Sequence, residues 1–387
     1  MGKFFIATSE EIAKGEITDV YFRRALAVLQ KRNLNPHVRM EVVAKGFAPG
    51  RNWSIFAGLE EVVSLLEKLP VSVRALEEGS VFYPNEPVME IEGNYTDFCI
   101  YETSILGMLC QASGVATKGA RLKKLAGERI VASFGARRMH PAIAPMIERS
   151  AFIGGCDGVS VVKSGEILRI DPVGTVPHSL ILIFGSTAEA MKAYDEVMEE
   201  GIPRVAIIDT FLDEKFESIN VASVLGKRLS GIRLDTPSSR RGNFKGIIEE
   251  VRWELNLRGY KHVKIFVSGG LDEPDLPVLN PVVDAYGIGT ALSNAPVIDF
   301  SMDIIEIDGK PVSKRGKLSG RKSLLVCKVC GNRKILPFTE EHLKCDCGGG
   351  MEEKLLNVLE KGKIKIPLPS PAEIRKKVLS ATKRLEI

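Results

Sequence analysis

Val205-Ala206-Ile207-Ile208-Asp209 and Gly231-Ile232-Arg233-Leu234-Asp235 decide the fold. Each is a short, nearly all-apolar run that ends in a charged or small residue. A strand with one wet face alternates apolar and polar side chains, and these do not. Both of their faces are therefore buried, as in a parallel sheet covered by helices. Residues 130–134, 158–162, 263–268 and 282–287 share the texture. The runs recur mostly about every 20 to 30 residues, and helical stretches at 188–200 and 244–257 fill two of the gaps. Six or seven such units predict an irregular (β/α) barrel; a doubly wound open sheet is the other architecture that fits.

Outward from this core the pattern changes in both directions. Residues 1–120 read as an α+β domain, 121–300 as the barrel, and 301–387 as a C-terminal segment. Thr18 is a candidate N-cap for a helix with Asp19 in its first turn, and Phe22, Ala25, Leu26 and Leu29 mark its buried face. Short strands flank the Pro84 turn, and an apolar helix follows over 101–125. In the C-terminal segment, 304–307, the Asp308-Gly309-Lys310 turn and 311–313 predict a hairpin.

At 387 residues the chain is too long for one ordinary domain. Its 44% hydrophobic and 26% charged residues are the balance of a globular protein with a sizeable core. With 53 basic against 49 acidic side chains, the net charge of +4 argues against nucleic acid as a partner. It leaves room for a local anion site. No apolar run is long enough to span a membrane. Glu10 and Glu11 arrive too early for a signal peptide, so the expected address is the cytoplasm.

Cys327-x2-Cys330 is followed after 14 residues by Cys345-x-Cys347, with Gly331 and Gly348 directly after the two pairs. In a reducing compartment four clustered thiols point to tetrahedral Zn²⁺, and glycine permits the tight turns that aim backbone N–H groups at sulfur. Two disulfides or an iron–sulfur cluster are the alternatives, and His342 could replace one cysteine. A full set of four protein ligands leaves no open position, so the expected metal is structural.

A parallel barrel carries its chemistry at the C-terminal ends of its strands. The last two runs end in Ser268-Gly269-Gly270 and Gly287-Ile288-Gly289-Thr290, small residues that let backbone N–H groups close on an anion. Alternation puts Arg233 and Asp235 on one face, and in a barrel that face is the interior. Opposite charges pointing inward need each other or a ligand. After the first run, Phe134-Gly135-Ala136-Arg137-Arg138 offers two bidentate donors to carboxylate or phosphate.

In their order and spacing, several motifs resemble those of the nicotinate phosphoribosyltransferase family in its compact archaeal form. They are Thr18-Asp19-Val20-Tyr21, the Phe134–Arg138 loop, Gly174-Thr175-Val176-Pro177-His178-Ser179, Ile208-Asp209-Thr210, Ile232-Arg233-Leu234-Asp235, and the two glycine loops. The resemblance runs from about Thr18 to Lys314; the stretch 154–160 is composed differently from bacterial and animal members, and Ser268-Gly269-Gly270 is more glycine-rich than the matching loop of many members.

The resemblance implies a barrel of the type II phosphoribosyltransferase kind. The reaction it implies joins nicotinate to phosphoribosyl pyrophosphate and gives nicotinate mononucleotide and pyrophosphate. It further implies that Tyr21 stacks on the pyridine ring of a neighbouring subunit's site, which requires at least a dimer. Without the resemblance, Tyr21 reads as a core residue of an amphipathic helix. Arg137 and Arg138 match arginines that hold the pyrophosphate or the nicotinate carboxylate. Arg233 and Asp235 match positions beside the ribose, where a carboxylate stabilises a ribosyl cation. Ser268, Gly269, Gly270, Gly289 and Thr290 match the 5′-phosphate cradle, and Mg²⁺ is the expected partner of the pyrophosphate. His178 resembles the histidine that ATP phosphorylates, with Asp209 as the carboxylate that orients it. Two other functions fit parts of the pattern. One is the related quinolinate phosphoribosyltransferase; the other, from a different class, is a nucleic-acid-binding protein built around the knuckle.

Overall fold

The computed structural model describes residues 4–339 and 344–387, so His342 lies outside the described residues. The chain divides into two compact units, residues 118–295 and a second made of 1–117 with 296–387.

The unit 118–295 is built on six strands, one for each apolar run: β1 (Ile130–Ser133), β2 (Gly158–Val159), β3 (Arg204–Ile207), β4 (Leu229–Leu234), β5 (Lys264–Val267) and β6 (Ala285–Ile288). All neighbours are parallel, in the order β2-β1-β6-β5-β4-β3. Read as a circle, this is the plain sequence order of a barrel, interrupted between β2 and β3. A doubly wound sheet would reverse direction at a switch point, and this one does not. The fold is therefore an incomplete (β/α) barrel. The ladder is interrupted at the longest of its crossovers, residues 160–203.

Local chemistry sets where these strands stop. The apolar run over 158–162 forms only a two-residue strand. Glu148, fully buried on helix α1 (Ala144–Ile153), accepts the amides of Ser160 at 2.9 Å and Val161 at 3.0 Å. Those amides are then lost to any ladder. Helix α2 (His178–Phe184) follows Pro177 as its N-cap, and α3 (Thr187–Val197) is capped by Ser186, whose hydroxyl accepts the Glu189 amide. Asp213 caps α4 (Glu214–Leu225), and Asn243 caps α5 (Phe244–Leu257). Phe244, Ile248, Val251 and Leu255, all buried, form the α5 stripe at three- and four-residue spacing.

The other unit carries a seven-stranded sheet in which Phe300–Ile307 and Pro87–Asn94 flank His37–Ala44, all antiparallel. The hairpin from Phe300–Ile307 to Lys310–Pro311 is present, and its turn residues Asp308 and Gly309 both have positive φ, 48° and 75°. One apolar core, including Val42, Phe82, Ile91, Phe98 and Ile105, fills the sheet and its helices. The N-terminal helix differs from expectation at its start. It runs Val20–Lys31 with Asp19, not Thr18, at the N-cap, and no side chain caps it. The Asp19 carboxylate instead accepts the Thr103 hydroxyl at 2.9 Å and faces the Tyr21 hydroxyl at 3.4 Å. Phe22 is this helix's buried residue, whereas Tyr21 is 58% exposed and is not a core side chain.

Candidate active site

The C-terminal ends of the six strands surround a cavity of about 620 Å³ within the barrel unit. Its lining includes Arg137, Arg138, His178, Arg233, Asp235, Ser268, Gly269, Gly270, Gly289 and Thr290. Strand alternation accounts for Arg233 and Asp235, which leave the β4 end on the same side. Arg233 Nη2 lies 3.3 Å from Asp235 Oδ2. The same guanidinium donates to the Ser268 hydroxyl at 2.8 Å and the Thr175 hydroxyl at 2.9 Å, and it stands 5.2 Å over the Phe134 ring. Ser268 in turn donates to Asp235 Oδ1 at 2.6 Å. Arg233 is thereby fixed in one place, a preorganised positive charge rather than a mobile one.

Asp209 lies just past the β3 end, almost wholly buried, with two partners. Its Oδ1 is 3.1 Å from His178 Nε2, and its Oδ2 accepts the Asp235 amide at 3.1 Å. Burial pushes the Asp209 carboxyl above its usual range, while the His178 ring beside it pulls in the opposite direction. His178 keeps 39% of its side chain exposed at the first position of α2. A buried carboxylate thus orients a ring that remains open to a ligand.

The two glycine loops are shaped differently. Gly269 and Gly270 both take left-handed backbone, φ 84° and 70°, which side chains rarely adopt. A Cβ on Gly269 would meet Arg241 Nη2 at 2.9 Å and Asp235 Oδ1 at 3.1 Å. Arg137 and Arg138 form a short 3₁₀ turn after β1 and are exposed at the rim. Tyr21, in the other unit, is not among the residues lining this cavity. Thr175, Phe134 and Arg241 were not singled out from sequence. Thr175 sat inside the quoted motif, but its bond to Arg233 crosses 58 residues of chain and leaves no local pattern.

The four knuckle cysteines come together in the other unit, beside the three-stranded sheet whose central strand is Lys322–Cys327. Their sulfurs all lie within 4.8 Å of one another, with Cys327–Cys347 at 3.5 Å and Cys330–Cys345 at 3.6 Å. Tetrahedral Zn–S bonds of about 2.3 Å need sulfurs about 3.8 Å apart, so the spacing fits a metal, whereas a disulfide would need about 2 Å. Backbone N–H groups of Cys330 and Val329 point at the Cys327 sulfur and lower its thiol from the usual range, which favours a thiolate there. Gly331 and Gly348 both have positive φ, as the tight turns demand.

Known proteins share this architecture. Family models described as the N-terminal and C-terminal domains of quinolinate phosphoribosyl transferase match residues 19–113 and 115–303, well over half the chain. The structure of a nicotinate-nucleotide pyrophosphorylase from Pyrococcus furiosus is 50% identical, covers 100% of both chains and superposes with a TM-score of 0.97. Human nicotinic acid phosphoribosyltransferase, at 19% identity, shares the fold with a TM-score of 0.75 over 95% of this chain and 94% of its own. A nicotinate phosphoribosyltransferase from Mycobacterium tuberculosis is 27% identical over 353 residues, 80% of this chain and 78% of that one. Fold and matches together define a phosphoribosyltransferase of the quinolinate type. Within that class the chain belongs to the nicotinate phosphoribosyltransferase family.

Proposed function

We infer that this enzyme joins nicotinate to phosphoribosyl pyrophosphate, forming nicotinate mononucleotide and releasing pyrophosphate. The observation that carries the reading is the convergence, in one cavity, of the fixed Arg233–Asp235–Ser268 cluster with two glycine loops at adjacent strand ends. The backbone amides of Gly269, Gly270, Gly289 and Thr290 serve the 5′-phosphate. Asp235 lies where positive charge develops on the ribose carbon as pyrophosphate leaves and the pyridine nitrogen attacks. Arg137 and Arg138, free of β-ladder bonds at the rim, hold the pyrophosphate or the nicotinate carboxylate.

Mg²⁺ supplies charge neutralisation to the pyrophosphate. Asp235 is the carboxylate lining the cavity among the described residues and is the protein group available to it. ATP coupling runs through His178. Asp209 holds Nε2, so Nδ1 is left to attack the γ-phosphorus; the N–P bond forms as the β,γ-bridging P–O bond breaks and ADP departs. Zn²⁺ in the knuckle is structural. The barrel, residues 121–300 in the expected division, is read as the catalytic domain.

The protein works as at least a dimer with shared sites in the cytoplasm, Tyr21 of one subunit reaching the base bound by another. Its exposure supports this, as does the apolar surface of Leu182, Ile183 and Phe184 on α2 with Phe211 and Leu212 beyond Asp209. No described helix is long and apolar enough to cross a membrane. The knuckle, rich in strand and turn, is read as scaffold and not as a nucleic-acid module.

The test supplies purified protein with phosphoribosyl pyrophosphate, Mg²⁺ and nicotinate, nicotinamide or quinolinate, each with and without ATP. Nicotinate should release pyrophosphate fastest. Carbon dioxide release from quinolinate would move the enzyme to the branch for which its family models are described. Inactivity with all three, together with salt-sensitive RNA binding, would overturn the assignment.

A further inference from the structure

Arg241 takes no part in the lining of the cavity, yet it is bonded to the loops that form it. It ends the short helix Ser238–Arg241, followed by Gly242, and its guanidinium lies 4.8 Å over the Phe244 ring. Nε donates to the Thr236 carbonyl at 2.8 Å, and Nη2 donates to the carbonyls of Ser268, at 2.8 Å, and Gly269. One planar fork therefore ties the chain just beyond Asp235 to the glycine loop after β5.

The direction of those bonds matters. In a trans peptide the C=O of one residue and the N–H of the next point to opposite sides. Arg241 draws the Ser268 and Gly269 carbonyls toward itself. The amides of Gly269 and Gly270 must then point away from it, and both glycines line the cavity. Left-handed φ at Gly269, the residue that joins the two peptides, is the backbone state that allows their successive carbonyls to turn this way. The guanidinium also comes so close that a Cβ at 269 would lie 2.9 Å from Nη2, so the loop is built around it.

We propose that Arg241 is a positioning residue that presets the Gly269 and Gly270 amides for the ribose 5-phosphate end of the substrate. It acts from behind the loop, without touching substrate. The proposal rests on the cradle assigned above. A second anion, the pyrophosphate, is held elsewhere and should not depend on Arg241. That separation distinguishes positioning from a general electrostatic or structural role.

The test is calorimetric binding of ribose 5-phosphate and of pyrophosphate with Mg²⁺ to the full chain, wild type, R241A and R241K, with steady-state kinetics alongside. Ribose 5-phosphate should weaken about tenfold or more in R241A, and KM for phosphoribosyl pyrophosphate should rise in step, while kcat and pyrophosphate affinity change less than about twofold. R241K retains the charge but not the fork, so it should behave like R241A; it also decides the matter if R241A does not fold. Equal loss of both ligands, or full rescue by lysine, would overturn the proposal in favour of charge alone. Unchanged ribose 5-phosphate binding in both variants would overturn it outright. Wild-type protein that fails to bind ribose 5-phosphate would instead sink the cradle itself.

Discussion

Asp209 holds His178 with one oxygen and the Asp235 amide with the other, which makes its replacement by asparagine informative. An asparagine can still accept the Asp235 amide, but toward His178 it presents an N–H₂ donor. The ring must then accept at Nε2 and carry its proton on Nδ1, the nitrogen needed as nucleophile. Asp209→Asn is therefore expected to lose ATP stimulation by at least about a hundredfold while keeping basal transfer, and His178→Ala is expected to do the same. The measurement is initial rate with and without ATP, with acid-labile ³²P on the protein as a second readout. Labelling of Asp209→Asn at the wild-type level would remove the tautomer argument. At this scale the sequence was most legible where strand geometry governs. Alternation alone put Arg233 and Asp235 together, and the two are 3.3 Å apart. It was least legible where a side chain binds distant backbone, as Glu148 binds the Ser160 and Val161 amides. Such bonds depend on two segments meeting, and neither segment carries a pattern that announces it.

Among the elements, the six strands were readable because a buried parallel strand needs unbroken apolar residues, and few other structures do. The interruption between β2 and β3 was not readable. Burial sets hydrophobicity, whereas ladder closure depends on which amides remain free, and at 160–161 a carboxylate takes them. The start of Val20–Lys31 was misplaced for a related reason. Asp19 and Thr18 are equally good caps by type, and contact with Thr103 decides how Asp19 is used. The clustering of Cys327, Cys330, Cys345 and Cys347 was legible, since ligand spacing is local. The sheet beside them is joined to the rest of its unit by Arg333, which pairs with Glu86 at 2.7 Å, and by the buried Leu324. A metal held by the four cysteines would therefore stabilise this unit rather than the barrel cavity. A strong chelator, or Cys330→Ser, is expected to release about one zinc per chain and lower Tm by roughly 5–15 °C. Cavity chemistry assayed well below that Tm should persist. A spectrophotometric zinc assay beside differential scanning fluorimetry checks both, and an unchanged Tm after full metal release would refute a structural role.

For the whole molecule, the decisive question is where each cavity obtains its aromatic residue. Tyr21 is exposed on a helix whose buried side is marked by Phe22, and its hydroxyl is within 3.4 Å of Asp19. Because it belongs to the unit 1–117 with 296–387 and the cavity to 118–295, the two can be inactivated independently. Tyr21→Ala should raise KM for nicotinate by losing stacking worth about 1 kcal/mol or more. Arg233→Ala should nearly abolish transfer, since it removes the charge that Ser268, Thr175 and Asp235 hold in place. If subunits share sites, mixing the two variants under conditions of subunit exchange creates hybrids with one intact and one doubly damaged site. In a randomly mixed dimer about a quarter of all sites are then intact, and with nicotinate well below KM, where Tyr21→Ala is impaired, activity should rise to about that fraction of wild type. If each chain supplied its own Tyr21, every site would retain a defect and mixing would give only the average of the two parents. The apolar surface of α2 beside the His178 end of the cavity makes the shared arrangement the expected one, because a partner that covers Leu182, Ile183 and Phe184 also approaches the mouth.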